Sequence, residues 1–364
     1  MKILQVITSL RTGGAEKLIV DMVPKYKQYG LDVDVLLFDG SNTSFKQQLM
    51  KEGVTIYQLG SGNSVYNPFL ILKMLPFLRK YDIVHTHNTT PQLFAAIGSM
   101  LCSVVLCTTE HNTSNRRRSL KWYHSIDKWM YSRYKEIISI SDATTKELKN
   151  NIDIKCPIVT IPNGIDIKKF STARPISKTE IGCENESFLL VMVAGFRHQK
   201  DQDTVIRALQ LLPSNVQLSL VGDGVRKGEC EQLTQSLGLA DRVIFTGIRT
   251  DVANILKTAD VVVMSSHYEG FGLAAVEGMA AGKPVIASDV IGLGDIVRGY
   301  GIVFPHKDYI TLAHNVRILM DDKEYYSNIA MACQKRACDF DIENMVNRYI
   351  EEYKHIADTN PSNS

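Results

Sequence analysis

The sequence has no long apolar run. No stretch approaches the roughly 20 apolar residues that a helix needs to cross a bilayer. The first residues, Met1 and Lys2, lead directly into the strand-like segment 3–7 without the layout of a signal peptide. These absences argue against a membrane-spanning or secreted chain, and we expect the protein to stay in the cytoplasm.

Metal-binding and disulfide motifs are also missing. The seven cysteines are scattered, and no two of them form a C-x-x-C pair. Neither a zinc site nor a disulfide framework is therefore indicated. No D-x-D pair of acids directly ends a predicted strand, so we expect no divalent metal at the site described below.

Length and composition indicate two domains. The chain of 364 residues exceeds the usual size of a single hydrophobic core. Its hydrophobic fraction of 45% and charged fraction of 22% are ordinary for a globular protein. Residues 168–187 are polar and irregular, with Pro175 and Gly182, and we place the linker there.

The charge is divided unevenly along the chain. Up to Phe170 there are 22 Lys and Arg against 14 Asp and Glu, whereas the remainder has 19 against 25. A basic first half favours an anionic partner, either nucleic acid or an anionic membrane.

The N-terminal segment predicts a parallel sheet. Strand 3–7, helix 15–29 and strand 33–38 follow one another, and Gly13 and Gly14 stand just before the helix, where backbone amides can bind an anion. Asp39 lies where a dinucleotide fold places its ribose-binding acid. The G-x-G-x-x-G spacing is absent, however, which weakens a nicotinamide-dependent dehydrogenase without removing it.

The most informative stretch is 261–284. An apolar strand leads into a loop with Gly270 and Gly272, and a helix of small residues follows. The amides of Phe271, Gly272 and Leu273 at the start of that helix can hold phosphate, because the two glycines let an anion approach the backbone.

Two carboxylates flank this loop. Glu269 and Glu277 have seven residues between them, and the helix turns Glu277 back toward the loop. Because a carboxylate is repelled by a phosphate, Glu269 and Glu277 should bind another part of the ligand, and sugar hydroxyls are the obvious candidates. The segment E-G-F-G-L-A-A-V-E resembles the Glu-x7-Glu motif of the retaining GT-B glycosyltransferases of family four.

The resemblance extends along nearly the whole chain. Its parts, in the family's order, are Gly13-Gly14, His111, Pro162-Asn163-Gly164, Lys200, Gly222-Asp223-Gly224 and the Glu269 to Glu277 motif. It implies an α/β fold of GT-B type, in which two Rossmann-like domains with parallel sheets face an interdomain cleft. Residues 1–167 would form the acceptor domain and 168–341 the nucleotide-sugar donor domain, with a helix at 342–358 packing back on the first.

The resemblance also assigns roles to residues. Lys200 and Arg197 would clamp the donor diphosphate, although the family's usual arginine position falls on Gly195. Glu277 would bind the ribose hydroxyls, and Glu269 the donor sugar.

The resemblance implies contacts with the substrates for four further residues. His111 would line the cleft near the donor sugar and the acceptor, with a locally bonded loop histidine as the alternative. Gly222 and Gly224 would lie near the nucleotide, and Ile248 would contact the base. The role of Asp295 stays open, because 290–297 departs from the family's pattern.

Two features keep alternatives open. His85 and His87 end a predicted strand at 81–88, but a third ligand at a matching spacing is missing, so a polar lining or structural role is favoured over a metal. The segment from Arg116 to Tyr131 has aromatic residues beside basic ones, which fits a helix on an anionic membrane and equally a core-facing helix with a solvated basic end.

The function implied is transfer of a hexose or N-acetylhexosamine, with retention and without a metal, from a UDP-linked donor to a saccharide or lipid-linked acceptor. Cell-surface polysaccharide or glycolipid synthesis would be the setting, with no cofactor and no nucleic acid. A nucleotide-sugar isomerase of the same architecture and a catalytically silent nucleotide-binding module are the alternatives. Attack from the leaving-group face and a covalent intermediate are both compatible with these residues.

Overall fold

Parallel strand pairing runs through the whole of the computed structural model, which describes residues 1–11, 13–61, 64–111 and 121–359. Each strand pairing in those ranges is parallel. The chain divides into two compact units, one of Met1–Gly164 with the C-terminal segment from Ile342, the other of Ile165–Asp341.

The first unit is built on a seven-stranded sheet within the described residues, in the order β3-β2-β1-β4-β5-β6-β7. Its strands are β1 Lys2–Ile7, β2 Asp32–Leu37, β3 Ile56–Gln58, β4 Ile83–His87, β5 Val105–Glu110, β6 Glu136–Ser139 and β7 Ile158–Thr160. Its helices before the second unit are α1 Gly14–Gln28, α2 Ser44–Lys51, α3 Phe69–Leu78, α4 Thr89–Gly98, α5 Lys121–Ser132 and α6 Asp142–Asn151.

The second unit has a six-stranded sheet, in the order β10-β9-β8-β11-β12-β13, with the same restriction to described residues. Its strands are β8 Phe188–Val193, β9 Val216–Val221, β10 Val243–Gly247, β11 Val261–Met264, β12 Val285–Ser288 and β13 Ile302–Phe304. Its helices are α7 Ile167–Ser171, α8 Gln202–Leu209, α9 Lys227–Ser236, α10 Val252–Thr258, α11 Leu273–Ala280, α12 Gly294–Val297, α13 Tyr309–Asp321 and α14 Lys323–Ala337. The final helix, α15 Ile342–Asp358, belongs to the first unit.

The expected α/β fold with two parallel sheets is confirmed. Strands buried on both faces read as continuous apolar runs, which is why β8 and β11 were recognisable from sequence. The start of α8 at Gln202 has a local cause, because Asp201 takes a left-handed conformation, φ 51°, that closes the preceding 3-10 turn.

Alternation along β1 explains how α15 is held. Ile3 and Ile7 pack in the core cluster that contains α1 and α15, whereas Leu4 and Val6 pack in the cluster on the other face. Gln5 shares the α15 face, and its amide nitrogen donates to the Tyr353 hydroxyl at 2.8 Å. The face of the sheet that packs on α15 therefore carries a buried polar side chain, Gln5, whose amide N–H finds its acceptor on α15.

The helix α5 has a mixed environment. Residues 116–120 of the proposed basic segment lie outside the described residues, so the structure describes only the second part of it. There Met130 and Tyr131 are buried, and Trp129 packs against the core cluster of the α3 side. This part of the helix fits the core-facing alternative. In the described ranges, none of the helices has the length and apolarity that crossing a membrane requires.

One buried carboxylate makes the stability of the first unit sensitive to pH. Glu136 on β6 is 3% exposed. Burial, and after it the neighbouring Glu352, raises the pKa of Glu136 from 4.5 to about 7. The folded state therefore favours the protonated form, and the stability that this contributes is lost as pH rises through about 7.

We predict that Glu136→Gln, which mimics the protonated carboxyl, becomes progressively more stable than the wild type as pH rises from 5 to 8.5. The gain should grow by ~1–3 kcal/mol, from the size of the pKa shift. Urea unfolding followed by circular dichroism at the two pH values measures it. Glu351→Gln, on the exposed side of α15, is the matched control and should show no such trend. Equal stability of Glu136→Gln and wild type at pH 8.5 would contradict the assignment.

Candidate active site

The strand orders define where each unit can hold a ligand. In the second sheet β8 lies between β9 and β11, so the chain runs outward in opposite directions from β8 and β11. In the first sheet β1 and β4 have the same relationship. Ligands of open α/β sheets bind beyond the carboxyl ends of strands at such switch points. The loops after β8 and β11 are therefore the expected site of the second unit.

An ion pair joins those two loops. Lys200, at the end of the 3-10 turn His198–Lys200, places its Nζ 2.5 Å from Oε1 of Glu269. The same Glu269 oxygen accepts a hydrogen bond of 2.7 Å from the Ser266 hydroxyl. Glu269 is only 6% exposed, so its charge requires these donors. The structure thus brings together Lys200 and Glu269, which are 69 residues apart.

Backbone contacts fix the two loops further. The amide of His267 donates to the carbonyl of Gln199 at 2.8 Å, and the Gln199 side-chain amide donates to the carbonyl of Tyr268 at 2.9 Å. The Ser265 hydroxyl donates to the carbonyl of Asp201 at 2.6 Å. Because these bonds run in both directions between the loops, the Lys200–Glu269 pair sits on a rigid support.

The start of α11 follows directly. Gly272 is its N-cap in a left-handed conformation, φ 98°, and Leu273 is its first residue. Phe271 is buried, with its ring edge-to-face on Phe340 at 5.2 Å between centroids. The amides of this turn stand at the positive end of the helix dipole. Glu277 lies about one turn into α11 and is 4% exposed.

A third loop supports the Glu269 backbone. Gly292 has φ 84°, and a Cβ atom placed on it would lie 2.2 Å from the carbonyl oxygen of Glu269. The amide of Gly292 donates to the Asp295 carboxylate at 3.2 Å. Asp295, whose role the sequence left open, therefore closes the turn that supports Glu269.

The glycines after β9 have a packing reason. A Cβ on Gly222 would lie 2.2 Å from the carbonyl oxygen of Ala194, and one on Gly224 would lie 2.5 Å from that of Phe196. Both keep the loop after β9 close to the loop after β8. Ile248, just beyond β10, is 59% exposed at the same edge of the sheet.

Arg197 does not join Lys200. It is exposed at the N-cap of the 3-10 turn, and within the described residues it makes no ion pair, whereas Lys200 is bound to Glu269. The structure therefore does not place the two cations together, and their role at a diphosphate stays a prediction. Arg197 has an extended backbone conformation, and its position in the sequence is displaced from the family's usual arginine position.

In the first unit, Gly13 and Gly14 lie at the start of α1. Gly13 is the N-cap, with an extended φ of −173°, and Gly14 is the first helical residue. The carboxylate of Glu16 in the first turn lies against Gly13, because a Cβ there would be 2.1 Å from Glu16 Oε2. An anion approaching these amides would have to displace that carboxylate.

A chain of buried polar groups leads to His111, which directly follows β5. Nε2 of His87 bonds Oε1 of Gln5 at 2.8 Å, and Nδ1 of His87 bonds Nε2 of His111 at 2.9 Å. His85 bonds the Tyr353 hydroxyl at 2.6 Å through Nδ1 and Thr109 at 2.7 Å through Nε2. Hydrogen bonds thus occupy both ring nitrogens of His85 and of His87, and neither residue belongs to a possible metal-binding group among the described residues.

These bonds determine the tautomer of His111. Burial lowers the pKa of His111 to about 4 and that of His87 well below 6.5, so both rings are neutral near pH 7. With the Gln5 nitrogen donating to Tyr353, the Gln5 oxygen accepts from His87 Nε2–H. His87 Nδ1 must then accept from His111 Nε2–H. This leaves Nδ1 of His111 as a hydrogen-bond acceptor.

Two family models match the chain. The model described as "Glycosyl transferases group 1" matches residues 174–336, and the model described as "Glycosyltransferase Family 4" matches residues 12–169. Together they span most of both units.

Individual proteins give the same result. The chain is 29% identical over 270 residues to UDP-Gal:alpha-D-GlcNAc-diphosphoundecaprenol alpha-1,3-galactosyltransferase of Escherichia coli, covering 67% of each chain. It is 25% identical over 321 residues to the putative glycosyltransferase EpsF of Bacillus subtilis, covering 82% of this chain and 83% of that one. The crystal structure of Anabaena HepE with UDP and glucose superposes with a TM-score of 0.88 at 24% identity, covering 98% and 100%.

The two parallel-sheet units and the structural likeness define the fold as GT-B. The family models and the relatives define the class as glycosyltransferases that transfer a sugar from a nucleotide sugar. The chain belongs to the group 1 glycosyltransferases of family 4.

Sequence reasoning missed several residues that shape the site. Ser266, Gln199 and Gly292 support Glu269 and Lys200, but nothing in their spacing shows that three separate loops meet. The sequence does contain a D-x-D pair near this site, Asp201 and Asp203. The pair lies at the start of α8 and does not directly end β8.

We predict that Gly292→Ala destabilises the second unit more than Gly299→Ala does. The two glycines have matching φ values of 84° and 85°, but a Cβ at Gly299 meets nothing within 4 Å. Gly299→Ala should cost ~1–2 kcal/mol for left-handed backbone alone, and Gly292→Ala a further ~1–3 kcal/mol from the clash with the Glu269 carbonyl.

Urea unfolding of both variants measures the difference. Sugar transfer should fall in Gly292→Ala and stay near wild type in Gly299→Ala, since only the former displaces Glu269. Equal loss of stability in the two variants would show that Gly292 does not support the Glu269 loop.

Proposed function

We propose that the chain transfers a hexose or N-acetylhexosamine, with retention at the anomeric carbon, from a UDP-linked donor to a saccharide or lipid-linked acceptor. The transfer would serve cell-surface polysaccharide or glycolipid synthesis at the cytoplasmic face of the membrane. The observation that carries the proposal is the Lys200–Glu269 pair beside the N-terminus of α11, at the switch point of the second sheet.

The chemistry needs negative charge to be stabilised on the leaving group. The bond from the anomeric carbon to the diphosphate oxygen breaks, and its electron pair leaves on UDP. A new bond forms from the acceptor oxygen to the anomeric carbon, and the proton of the acceptor hydroxyl is released. Donors fixed where this charge develops are the main source of rate acceleration.

We assign that stabilisation to Lys200 and to the amides of Phe271, Gly272 and Leu273. Lys200 reaches Glu269 through a flexible stem, so its ammonium can turn from the carboxylate toward a diphosphate beside it. The helix dipole of α11 acts in the same direction. This set supplies positive charge without a divalent ion, and we therefore propose metal-independent transfer.

Glu269 and Glu277 have separate tasks in this proposal. Both are buried carboxylates at or near the start of α11. Glu277, inside the helix, would accept hydrogen bonds from the ribose hydroxyls. Glu269, in the loop, would bind hydroxyls of the transferred sugar as Lys200 turns to the phosphate. Gly222, Gly224 and Ile248 would border the uridine, because they lie at the same edge of the sheet.

His111 is proposed to contact the transferred sugar. Its pKa of about 4 keeps it neutral, and its Nδ1 is left to accept a hydrogen bond from a sugar hydroxyl. It would orient the sugar and would not carry a proton at neutral pH. The Gly13–Gly14 turn is proposed to add backbone amides toward the diphosphate, and Arg197 a further exposed cation.

The relatives support the choice of donor and acceptor class. The Escherichia coli relative is named for a UDP-galactose donor and a diphosphoundecaprenol-linked acceptor, and the Anabaena structure holds UDP and glucose. A UDP-sugar and a lipid-linked saccharide are the corresponding proposal for this chain.

A screen of radiolabelled UDP- and GDP-sugars, with EDTA present throughout, tests the function. We expect turnover or slow hydrolysis with a UDP-sugar, and NMR of the product should show the donor's anomeric configuration. Lys200→Met should lower kcat by about 10²–10³-fold, as loss of one such donor does. Glu277→Gln should mainly raise the Kd for UDP, since it acts on the ribose.

Lys335→Met and Glu324→Gln, both exposed on α14, are the controls and should behave as wild type. Activity lost in EDTA and restored by Mg²⁺, which the nitrogen-rich cluster described below does not favour, would refute metal independence. Wild-type kcat in Lys200→Met would refute the assigned role of Lys200. Conversion of the donor sugar with no acceptor would point to the isomerase alternative.

Peripheral contact with an anionic membrane is the remaining part of the proposal. It depends on Arg116, Arg117 and Arg118, which lie outside the described residues, because the described end of α5 faces the core. We expect the wild type to co-sediment with phosphatidylglycerol vesicles and a variant with these three arginines changed to Ser to bind several-fold less. Equal binding would exclude this surface.

A further inference from the structure

Three histidine- or aspartate-bearing loops meet at one point of the second unit. Nδ1 of His267 lies 3.5 Å from Oδ2 of Asp201 and 2.7 Å from Nε2 of His306. The three ligand atoms that these residues offer lie within 4.8 Å of one another. The residues come from the loops after β8, β11 and β13.

The grouping is not accidental crowding of a histidine-rich surface. The second unit contains four histidines, and three of them, His198, His267 and His306, lie here, with the His198 and His306 rings each 4.8 Å from the His267 ring between centroids. Asp201 is 5% exposed although it carries a charge. A buried carboxylate facing two imidazoles is a donor set for a first-row metal ion.

We propose that Asp201, His267 and His306 form a binding site for a divalent transition-metal ion of the zinc class. Zinc bound tetrahedrally at 2.0–2.1 Å places its ligand atoms about 3.3–3.4 Å apart. The Asp201–His267 distance of 3.5 Å already agrees with that value.

The His267–His306 distance of 2.7 Å is shorter, since the two rings share a hydrogen bond. Binding replaces that bond, and the exposed His306 has to move until its Nε2 lies about 3.3–3.4 Å from both of the other ligand atoms, which are now within 4.8 Å of it.

The surroundings support the donor set. The Thr204 hydroxyl donates to Oδ2 of Asp201 at 2.7 Å and so orients the carboxylate, as outer-shell groups of metal sites do. An open cavity of about 350 Å³ adjoins Asp201, His198 and His267 and leaves room for a water ligand. Three cations, Lys307, Arg207 and Arg226, line the same cavity. Lys307 and Arg207 are exposed, so that their charged ends can turn to solvent, and Arg226 is paired with Asp203 and Glu229. The two nitrogen ligands favour zinc, cobalt or nickel over magnesium.

The site would act on structure, not on the chemistry of transfer. Asp201 directly follows Lys200, and His267 lies two residues before Glu269. An ion held by both, and by His306, cross-links the two loops that hold the Lys200–Glu269 pair to a third loop. Its binding therefore stabilises the folded unit and these loops.

The test uses the full chain, stripped with EDTA and dialysed, and Zn²⁺ or Co²⁺ alone as the probe. We expect one ion per chain with a Kd in the micromolar range or tighter, and visible Co²⁺ bands typical of nitrogen and oxygen ligands. His306→Ala should weaken binding at least tenfold and abolish the rise in Tm with Zn²⁺. Asp201→Asn, which tolerates the left-handed backbone, should weaken binding without unfolding the loop.

His314→Ala removes an exposed histidine of the same unit outside the cluster and should bind as wild type. The proposal would be overturned by absence of binding, by equal binding in His306→Ala, or by a thiolate-to-cobalt band showing that cysteines hold the ion. Because the readout is metal binding and not transfer, these outcomes are independent of the proposed function.

Discussion

The carboxylate of Glu269 is buried, and the ammonium of Lys200 and the hydroxyl of Ser266 help to make this burial tolerable. An unpaired charge at this depth would cost several kcal/mol, so the loops after β8 and β11 must stay together. The rest of the site depends on that constraint. The backbone bonds through Gln199 and Ser265, and the support of Gly292 beneath the Glu269 carbonyl, all keep the pair in place. The start of α11 is positioned by the same loop.

The first unit also buries polar groups that need partners, but these groups are neutral. Gln5, His85 and His87 occupy positions on the α15 side of the sheet where an apolar side chain would be usual, and each is satisfied by hydrogen bonds. Burial lowers the pKa of the histidines, so the network is neutral and its proton positions are fixed. Both units therefore hold polar groups at the switch point of a parallel sheet, one through an ion pair and the other through a chain of neutral bonds.

The cluster of Asp201, His267 and His306 is a third group of polar side chains, and it lies beside the Lys200–Glu269 ion pair. Asp201 is adjacent in sequence to Lys200, and His267 lies two residues before Glu269, so the same loops carry both the ion pair and the cluster. One side of each loop faces the α11 terminus, and the other faces a cavity bordered by α8 and α13. A loop held on both sides loses little further entropy when a ligand binds, which favours affinity.

Local sequence patterns predict the parallel α/β class and the strand ends at which polar residues gather, because apolar runs and glycine turns are local signals. The short spacing of Glu269 and Glu277 also predicts that they share one loop-helix segment, since only seven residues lie between them. Other contacts are visible only once the chain is folded. Lys200, and not Arg197, pairs with Glu269, and Gly292 lies against the Glu269 carbonyl. His111 is hydrogen-bonded to His87, which is hydrogen-bonded to Gln5. These contacts join loops separated by tens of residues, and their partners are set by the strand order of the sheet, which no local pattern records.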